Sequence, residues 1–227
     1  MKSINEISKI NSLATLMIRV KKLILEWWEQ NRREFPWRKI KNPWKIFLAS
    51  FFLRKTTATV VSKHFENIVK KFSSPEKVLA MKLNEIEEAI KPLGMYRVRA
   101  KQLREASEVI IQEYEGKVPQ EISKLMRIPG IGRYSAALIL SVAYGKYMPI
   151  VDINVERVIK RILNALTLKA IDIEEIIAEV VKGRDVLKFS FALMDLAGMI
   201  CRKSKPKCDI CPLNGVCKWW KSKSLKA

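Results

Sequence analysis

The chain has 227 residues, 48% hydrophobic and 29% charged. That composition excludes a disordered chain, and the length suffices to bury a core in one medium domain or two small ones. No apolar run is long enough to span a bilayer, and the first ten residues lack the apolar centre of a signal peptide, so an intracellular protein (cytoplasm or nucleoid) with no membrane partner is expected. A net charge of +20 points to a polyanionic partner, because Lys and Arg that neutralise phosphates release counterions. A basic surface serving solubility alone would carry the same self-repulsion with nothing to offset it. Residues 201–227 hold eight Lys/Arg against one Asp, whereas "IDIEEIIAEV" is acidic.

Apolar residues recur at spacings of three and four along most of the chain. In order, "NSLATLMIRVKKLILEWW", "SPEKVLAMKLNEIEEAI", "EISKLMR", "RYSAALILSVAY" and "VERVIKRILNAL" read as helices. In the last, Val155, Val158, Ile159, Ile162 and Leu163 share one face. Ser74 before Pro75 and Glu76 reads as a helix start. Breaks fall at "REFPWRKIKNPW", "KPLGMYR", "GKVPQ", "IPGIG" and "AYGKYMP". The nearest candidate for a strand is "MPIVDI". An all-α protein with short connections is expected.

The turn Pro129-Gly130-Ile131-Gly132 joins a short helix to a longer apolar one. Its glycines permit positive φ and close backbone approach. Amide groups at the start of the second helix point outward and form an anion site that fits a DNA phosphate. A plain helix–helix connection gives the same pattern. Eighteen residues past Tyr134 stands Asp152, in "IVDINVERV". It reads either as the N-cap of the helix that follows or as a carboxylate for chemistry.

The four cysteines, Cys201, Cys208, Cys211 and Cys217, are spaced C-x6-C-x2-C-x5-C. Four thiolates this close suit zinc or an iron–sulfur cluster. Disulfides are disfavoured in a chain without a secretion signal.

Together "LMRIPGIGRYSAALI", the aspartate at its offset and the cysteine spacing resemble the helix-hairpin-helix/GPD superfamily of DNA glycosylases, the endonuclease III and MutY group. The resemblance runs from about residue 23 to 220. It implies two helical lobes: a six-helix barrel with the hairpin (44–148, hairpin about 121–144), and a cluster-bearing lobe (1–43 plus 149–227). Asp152 and Tyr134 would flank the cleft between lobes. It further implies that the four cysteines hold a [4Fe–4S] cluster of structural role, with "RKSKPK" meeting the DNA backbone. Asp152 is then the catalytic carboxylate, stabilising oxocarbenium character on the sugar and orienting water. Double-stranded DNA with a mismatched or damaged base is the implied partner, and a monomer the default.

Three positions discriminate within the group. Tyr134 stands where bifunctional enzymes carry a Schiff-base lysine, so water is expected as nucleophile; a tyrosine here resembles the archaeal mismatch thymine/uracil glycosylases, of the MIG type. Ser50 stands where adenine glycosylases carry a glutamate that protonates the purine. The chain runs ten residues past Cys217, without the C-terminal domain that MutY-type enzymes add. The expectation is a monofunctional glycosylase for thymine or uracil opposite guanine. An adenine glycosylase, an endonuclease III-type enzyme and a DNA-binding module without catalysis are the alternatives.

Lys55 and Met95 are the first candidates to fill the gap left by a flipped base. Arg54 and Arg97 are further candidate contacts, and Gly130, Gly132 and Arg133 are assigned to phosphate. His64 is read as a surface or structural residue and Asp195 as a buried, hydrogen-bonded aspartate. Trp27, Trp28, Trp37 and Trp44 are read as packing, and Trp219 and Trp220 as covering the cysteine segment.

Overall fold

The computed structural model describes residues 4–224, with side chains from 12 to 223. The expectation about the first ten residues therefore concerns side chains outside the described residues. The described residues are helical without a strand, and "MPIVDI" is irregular up to the helix that begins at Ile153. No described helix is long and apolar enough to cross a membrane.

The chain divides into two compact units, residues 34–146 and residues 1–33 with 147–227. The division falls at 33/34, ahead of the expected 43/44, because Phe35 and Trp37 stack on each other and Trp37 meets the edge of Phe65.

The unit 34–146 holds α2 (Pro43–Phe52), α3 (Ala58–Lys71), α4 (Pro75–Ala80), α5 (Leu83–Ile90), α6 (Tyr96–Tyr114), α7 (Ile122–Arg127) and α8 (Arg133–Ala143). Each start has a local cause. Asn42 caps α2 by accepting from the Lys45 amide, with Pro43 at the first helical position. Thr57 caps α3 and Ser74 caps α4 in the same way. The stretch 74–90 is two helices where its periodicity suggests one. Met81 is extended, and the Glu85 carboxylate accepts from the Lys82 amide to start α5. Two helices are apolar on nearly every side. Trp44 and every residue from Ile46 to Phe52 are buried in α2, and every residue from Ser135 to Val142 in α8. A helix apolar all round belongs in a core, and α2 packs on α8. Trp44 donates to the Phe72 carbonyl at 2.7 Å.

The other unit holds α1 (Ile4–Asn31), α9 (Ile153–Leu163), α10 (Ala170–Val180), α11 (Asp185–Met199) and α12 (Lys218–Ser224). Here α9 is one-sided. Val155, Val158, Ile159 and Ile162 are buried against a core of Met17, Val20, Ile24, Ile173, Ile177, Phe189 and Leu193. Leu163 packs on that core only partly buried, and Asn164, in the left-handed region at φ 53°, ends the helix.

Asp195, on α11, is fully buried. It accepts from Trp28 Nε1 at 2.8 Å, the Arg33 amide at 3.1 Å and Arg33 Nε at 2.7 Å. This staples the end of α1 to α11. Substituting Asp195→Ala leaves these donors without their acceptor and is expected to cost about 3 kcal/mol, read as a lower midpoint in urea unfolding of the full chain.

Candidate active site and nucleic-acid interface

The hairpin turn lies in the unit 34–146. The Ile131 amide bonds the Ile128 carbonyl at 3.0 Å, which closes the turn. Gly130 adopts φ +85°, and a Cβ there would lie 2.7 Å from both Phe51 Cε2 and Arg54 Nη1. Backbone conformation and space both demand glycine. Gly132 differs. It is the extended N-cap of α8, and a Cβ there meets nothing within 4 Å. It offers no side chain to the helix start, which leaves the positive end of the α8 dipole open to an anion. Arg133 is exposed and Tyr134 half-buried on the first turn. Ser135 follows, its hydroxyl 3.5 Å from the Ser50 carbonyl. Ser50 is fully buried and turns its own hydroxyl onto the Phe47 carbonyl at 2.9 Å, so it offers no acid.

Lys55 and Met95 are both exposed, and both sit in the left-handed region at φ 54° and φ 51°. Arg54 donates Nη1 to the Gly130 carbonyl at 2.7 Å, and its guanidinium lies 5.6 Å from the Phe51 ring centre. Arg54 is thus committed to the hairpin turn. Arg97 is exposed and lies 5.5 Å from the Tyr96 ring centre.

In the other unit Asp152 is half-buried and is the N-cap of α9. Its Oδ1 accepts from the amides of Asn154 and Val155 at 2.9 and 2.8 Å, and its Oδ2 from Asn154 Nδ2 at 2.8 Å. Three donors fix the plane of the carboxylate. Oδ1 has both acceptor positions taken, while Oδ2 keeps one. Asn154 is itself held, since Arg157 Nη1 donates to its Oδ1 at 2.9 Å. The same guanidinium donates Nε to the Cys201 carbonyl at 3.1 Å and Nη2 to Ala197 at 3.3 Å. Burial lowers the Arg157 pKa, and the neighbouring Cys201 and Asp152 oppose that shift.

One turn further along α9, Arg161 donates to the carbonyls of Arg202 and Lys203 at 2.7 and 3.0 Å and lies 3.4 Å from Cys201 Sγ. Trp219 stacks under it at 4.7 Å. Cys201, Cys208, Cys211 and Cys217 line one pocket together with Arg161, Trp219 and Trp220. Burial first, and the other three sulfurs after it, raise the Cys211 thiol to about 11. Cys208 and Cys217 shift upward for the same two reasons. Four sulfurs that oppose one another's ionisation in one pocket are a donor set that a bound cation would stabilise as thiolates. Among the described residues, however, no three His, Cys, Asp or Glu side chains are placed to hold a single metal ion.

The sequence reading named Asp152 but missed Asn154, Arg157 and Arg161. Their signal was a step of three and then four residues along one helix, Asn154 to Arg157 to Arg161, beginning two residues past the candidate carboxylate. Arg99, in α6, was missed as well; it is buried.

A family model for HhH-GPD superfamily base excision DNA repair proteins matches residues 48–182. The chain belongs to that family. It is 34% identical over 201 residues to a thymine/uracil-DNA glycosylase of Methanothermobacter thermautotrophicus, a match covering 87% of this chain and 91% of the relative. A solved structure of a thermostable thymine-DNA glycosylase superposes with a TM-score of 0.85 at 32% identity, covering 93% of this chain and 98% of the other. A non-covalent endonuclease III–DNA complex shares the fold with a TM-score of 0.85 at 23% identity.

The two glycines separate conformation from charge. Gly130→Ala is expected to destabilise the protein by about 1–3 kcal/mol, and Gly132→Ala by less than about 1 kcal/mol. Thermal melting of both variants beside the parent checks the order.

Proposed function

We propose that the chain is a DNA N-glycosylase that hydrolyses the glycosidic bond of thymine or uracil mispaired with guanine, with no Schiff-base lyase step. The observation that carries this reading is Asp152. It is a half-buried carboxylate held in one plane by three donors, with one acceptor position left on Oδ2. The names of the thymine/uracil and thymine glycosylases that resemble this chain support it, as does the endonuclease III complex for DNA as partner.

In the proposed step the base leaves with the electron pair of its bond to C1′, and the sugar acquires oxocarbenium character. Asp152 stabilises that charge and takes the proton of the water that adds to C1′. A thymine or uracil anion spreads its charge over two carbonyls and leaves without the acid that adenine needs. Ser50, with its hydroxyl committed to Phe47, supplies none. Tyr134 has no amine to attack the sugar. The phenol ring, half-buried beside the hairpin, is suited to face a flipped base. Gly130, Gly132 and Arg133 are assigned to a phosphate, and Lys55 and Met95 to the gap left in the stack.

We also assign a [4Fe–4S] cluster to Cys201, Cys208, Cys211 and Cys217. A single zinc with Zn–S bonds of about 2.3 Å requires its sulfurs drawn into one tight shell. The four thiols share one pocket, and their C-x6-C-x2-C-x5-C spacing resembles that of the endonuclease III and MutY group, which supports the larger multi-metal group. When bound, such a group cross-links residues 201–217 and so steadies the carbonyls that Arg157 and Arg161 grip.

Single-turnover base release from T·G, U·G and A·8-oxoguanine duplexes, read with and without alkali, tests the reading. Release from T·G or U·G with strand breaks only after alkali is the expected outcome. Asp152→Asn is expected to lower that rate by about 1,000-fold or more while binding to the mismatch survives. Release of adenine, or trapping of a covalent adduct by borohydride, would overturn the assignment of substrate or of mechanism. Iron and acid-labile sulfide in equal amounts are expected in anaerobically purified protein; stoichiometric zinc without sulfide would refute the cluster assignment.

A further inference from the structure

Arg99 is 5% exposed, on the first turn of α6. A buried cation normally faces a carboxylate or a ring of acceptors, and Arg99 has the ring. Its Nη2 donates to Thr56 Oγ1 at 2.9 Å and to the Arg54 carbonyl, and its Nη1 donates to the Leu93 carbonyl at 3.3 Å. Thr56 Oγ1 in turn donates to the Leu93 carbonyl at 2.9 Å. The Arg54 carbonyl belongs to the residue just before Lys55, and Leu93 is separated from Met95 only by Gly94. One guanidinium therefore grips both loops beside their left-handed residues. Arg54 extends the arrangement through its own side chain to the Gly130 carbonyl.

Lys55 and Met95 are two of the three left-handed non-glycine residues in this unit, and the third, Glu115, ends α6. Left-handed backbone is unfavourable for a side chain with a Cβ, and it persists where the surroundings over-determine it. Arg99 supplies that determination. Met95 is 50% exposed, a large apolar side chain held partly out in water. Strained backbone, exposed tips and a shared buried anchor coincide at the two loops. A lysine in place of Arg99 would keep the charge but lose the planar fork that reaches several acceptors at fixed angles.

We propose that Arg99 is a positioning residue for base flipping: with Thr56 it locks the Lys55 and Met95 loops into one preset wedge, so that both tips enter the base stack together. This rests on the reading of Lys55 and Met95 as gap fillers. The wedge is built before DNA arrives, and affinity for undamaged duplex, carried by phosphate contacts, is independent of it.

The test uses the full-length protein, a T·G duplex with 2-aminopurine beside the thymine, and four variants: Arg99→Lys, Thr56→Val, the double Lys55→Ala/Met95→Ala, and that double combined with Arg99→Lys. Flipping is read as 2-aminopurine fluorescence in an Asp152→Asn background, and base release by single turnover with Asp152 intact. Arg99→Lys is expected to lower both by about tenfold or more. Its affinity for undamaged duplex should stay within about twofold, because the phosphate contacts are retained. The Arg99→Lys loss should vanish once the wedge side chains are already gone, since coupled residues are non-additive. Thr56→Val, which keeps its shape and removes only the hydroxyl, should reproduce the defect in milder form, and it decides the matter if Arg99→Lys does not fold. Normal flipping by both single variants would overturn the proposal. So would an Arg99→Lys loss that matches a parallel loss of melting temperature and duplex affinity, or one that persists in the wedge-free background. Normal flipping by Lys55→Ala/Met95→Ala would instead reject the gap-filling reading itself, and this proposal with it.

Discussion

The register of α9 is the constraint on which the candidate active site depends. Within eleven residues this helix begins at the Asp152 cap and carries Arg157 and Arg161 towards its end. Its apolar face is fixed by Val155, Val158, Ile159 and Ile162 in the core. With that face pinned, the opposite side has no freedom left. Asn154 must lie beside the Asp152 carboxylate, Arg157 beside Asn154, and Arg161 one turn on beside the cysteine segment. A rotation of α9 by one residue would carry Arg157 and Arg161 away from the carbonyls of residues 197 to 203 that they grip. The same apolar periodicity that builds a core therefore aims the carboxylate.

The cysteine segment and α9 depend on each other. The loop after Cys201 is mostly exposed and basic, a composition that would not order itself. Its carbonyls are gripped by Arg157 and Arg161, and its four sulfurs meet in one pocket closed by Trp219 and Trp220. In the unit 34–146 a different solution serves the hairpin. There α2 and α8 are apolar on nearly all sides and form a rigid pair. Polar function is pushed to their ends, where Gly130 and Gly132 leave backbone exposed and Arg54 ties the turn to the end of α2. Rigid scaffolds with functional groups on the connecting turns are the general pattern for such sites.

Legibility in the sequence followed the range of the interaction. The caps at Ser74 and Asp152 were visible because a cap and its amides lie within three residues. The hairpin turn was visible because the glycines mark it. The continuous helix suggested for 74–90 was interrupted because Glu85 reached back to Lys82, a local bond that periodicity alone does not weigh. Arg99, Arg157 and Arg161 gave no sign of their roles. A lone arginine in a charged helix reads as solvated surface, and their acceptors are mostly main-chain carbonyls, which every residue possesses. For Asp195 the apolar surroundings gave burial away, but its partners Trp28 and Arg33 lie more than 160 positions distant.

By itself, the sequence determined an all-helical chain, a strongly basic surface, a glycine-marked hairpin, four cysteines in one short segment and an aspartate at the head of an amphipathic helix. Each of these follows from residue type and near-neighbour spacing, which act through a few bonds of backbone. The tertiary structure alone decided which Asp152 oxygen keeps an open acceptor position, which arginines abandon solvent for carbonyls, and that Lys55 and Met95 share a single buried anchor. Those outcomes depend on where distant backbone groups arrive in space, and only the packing of the helices fixes that.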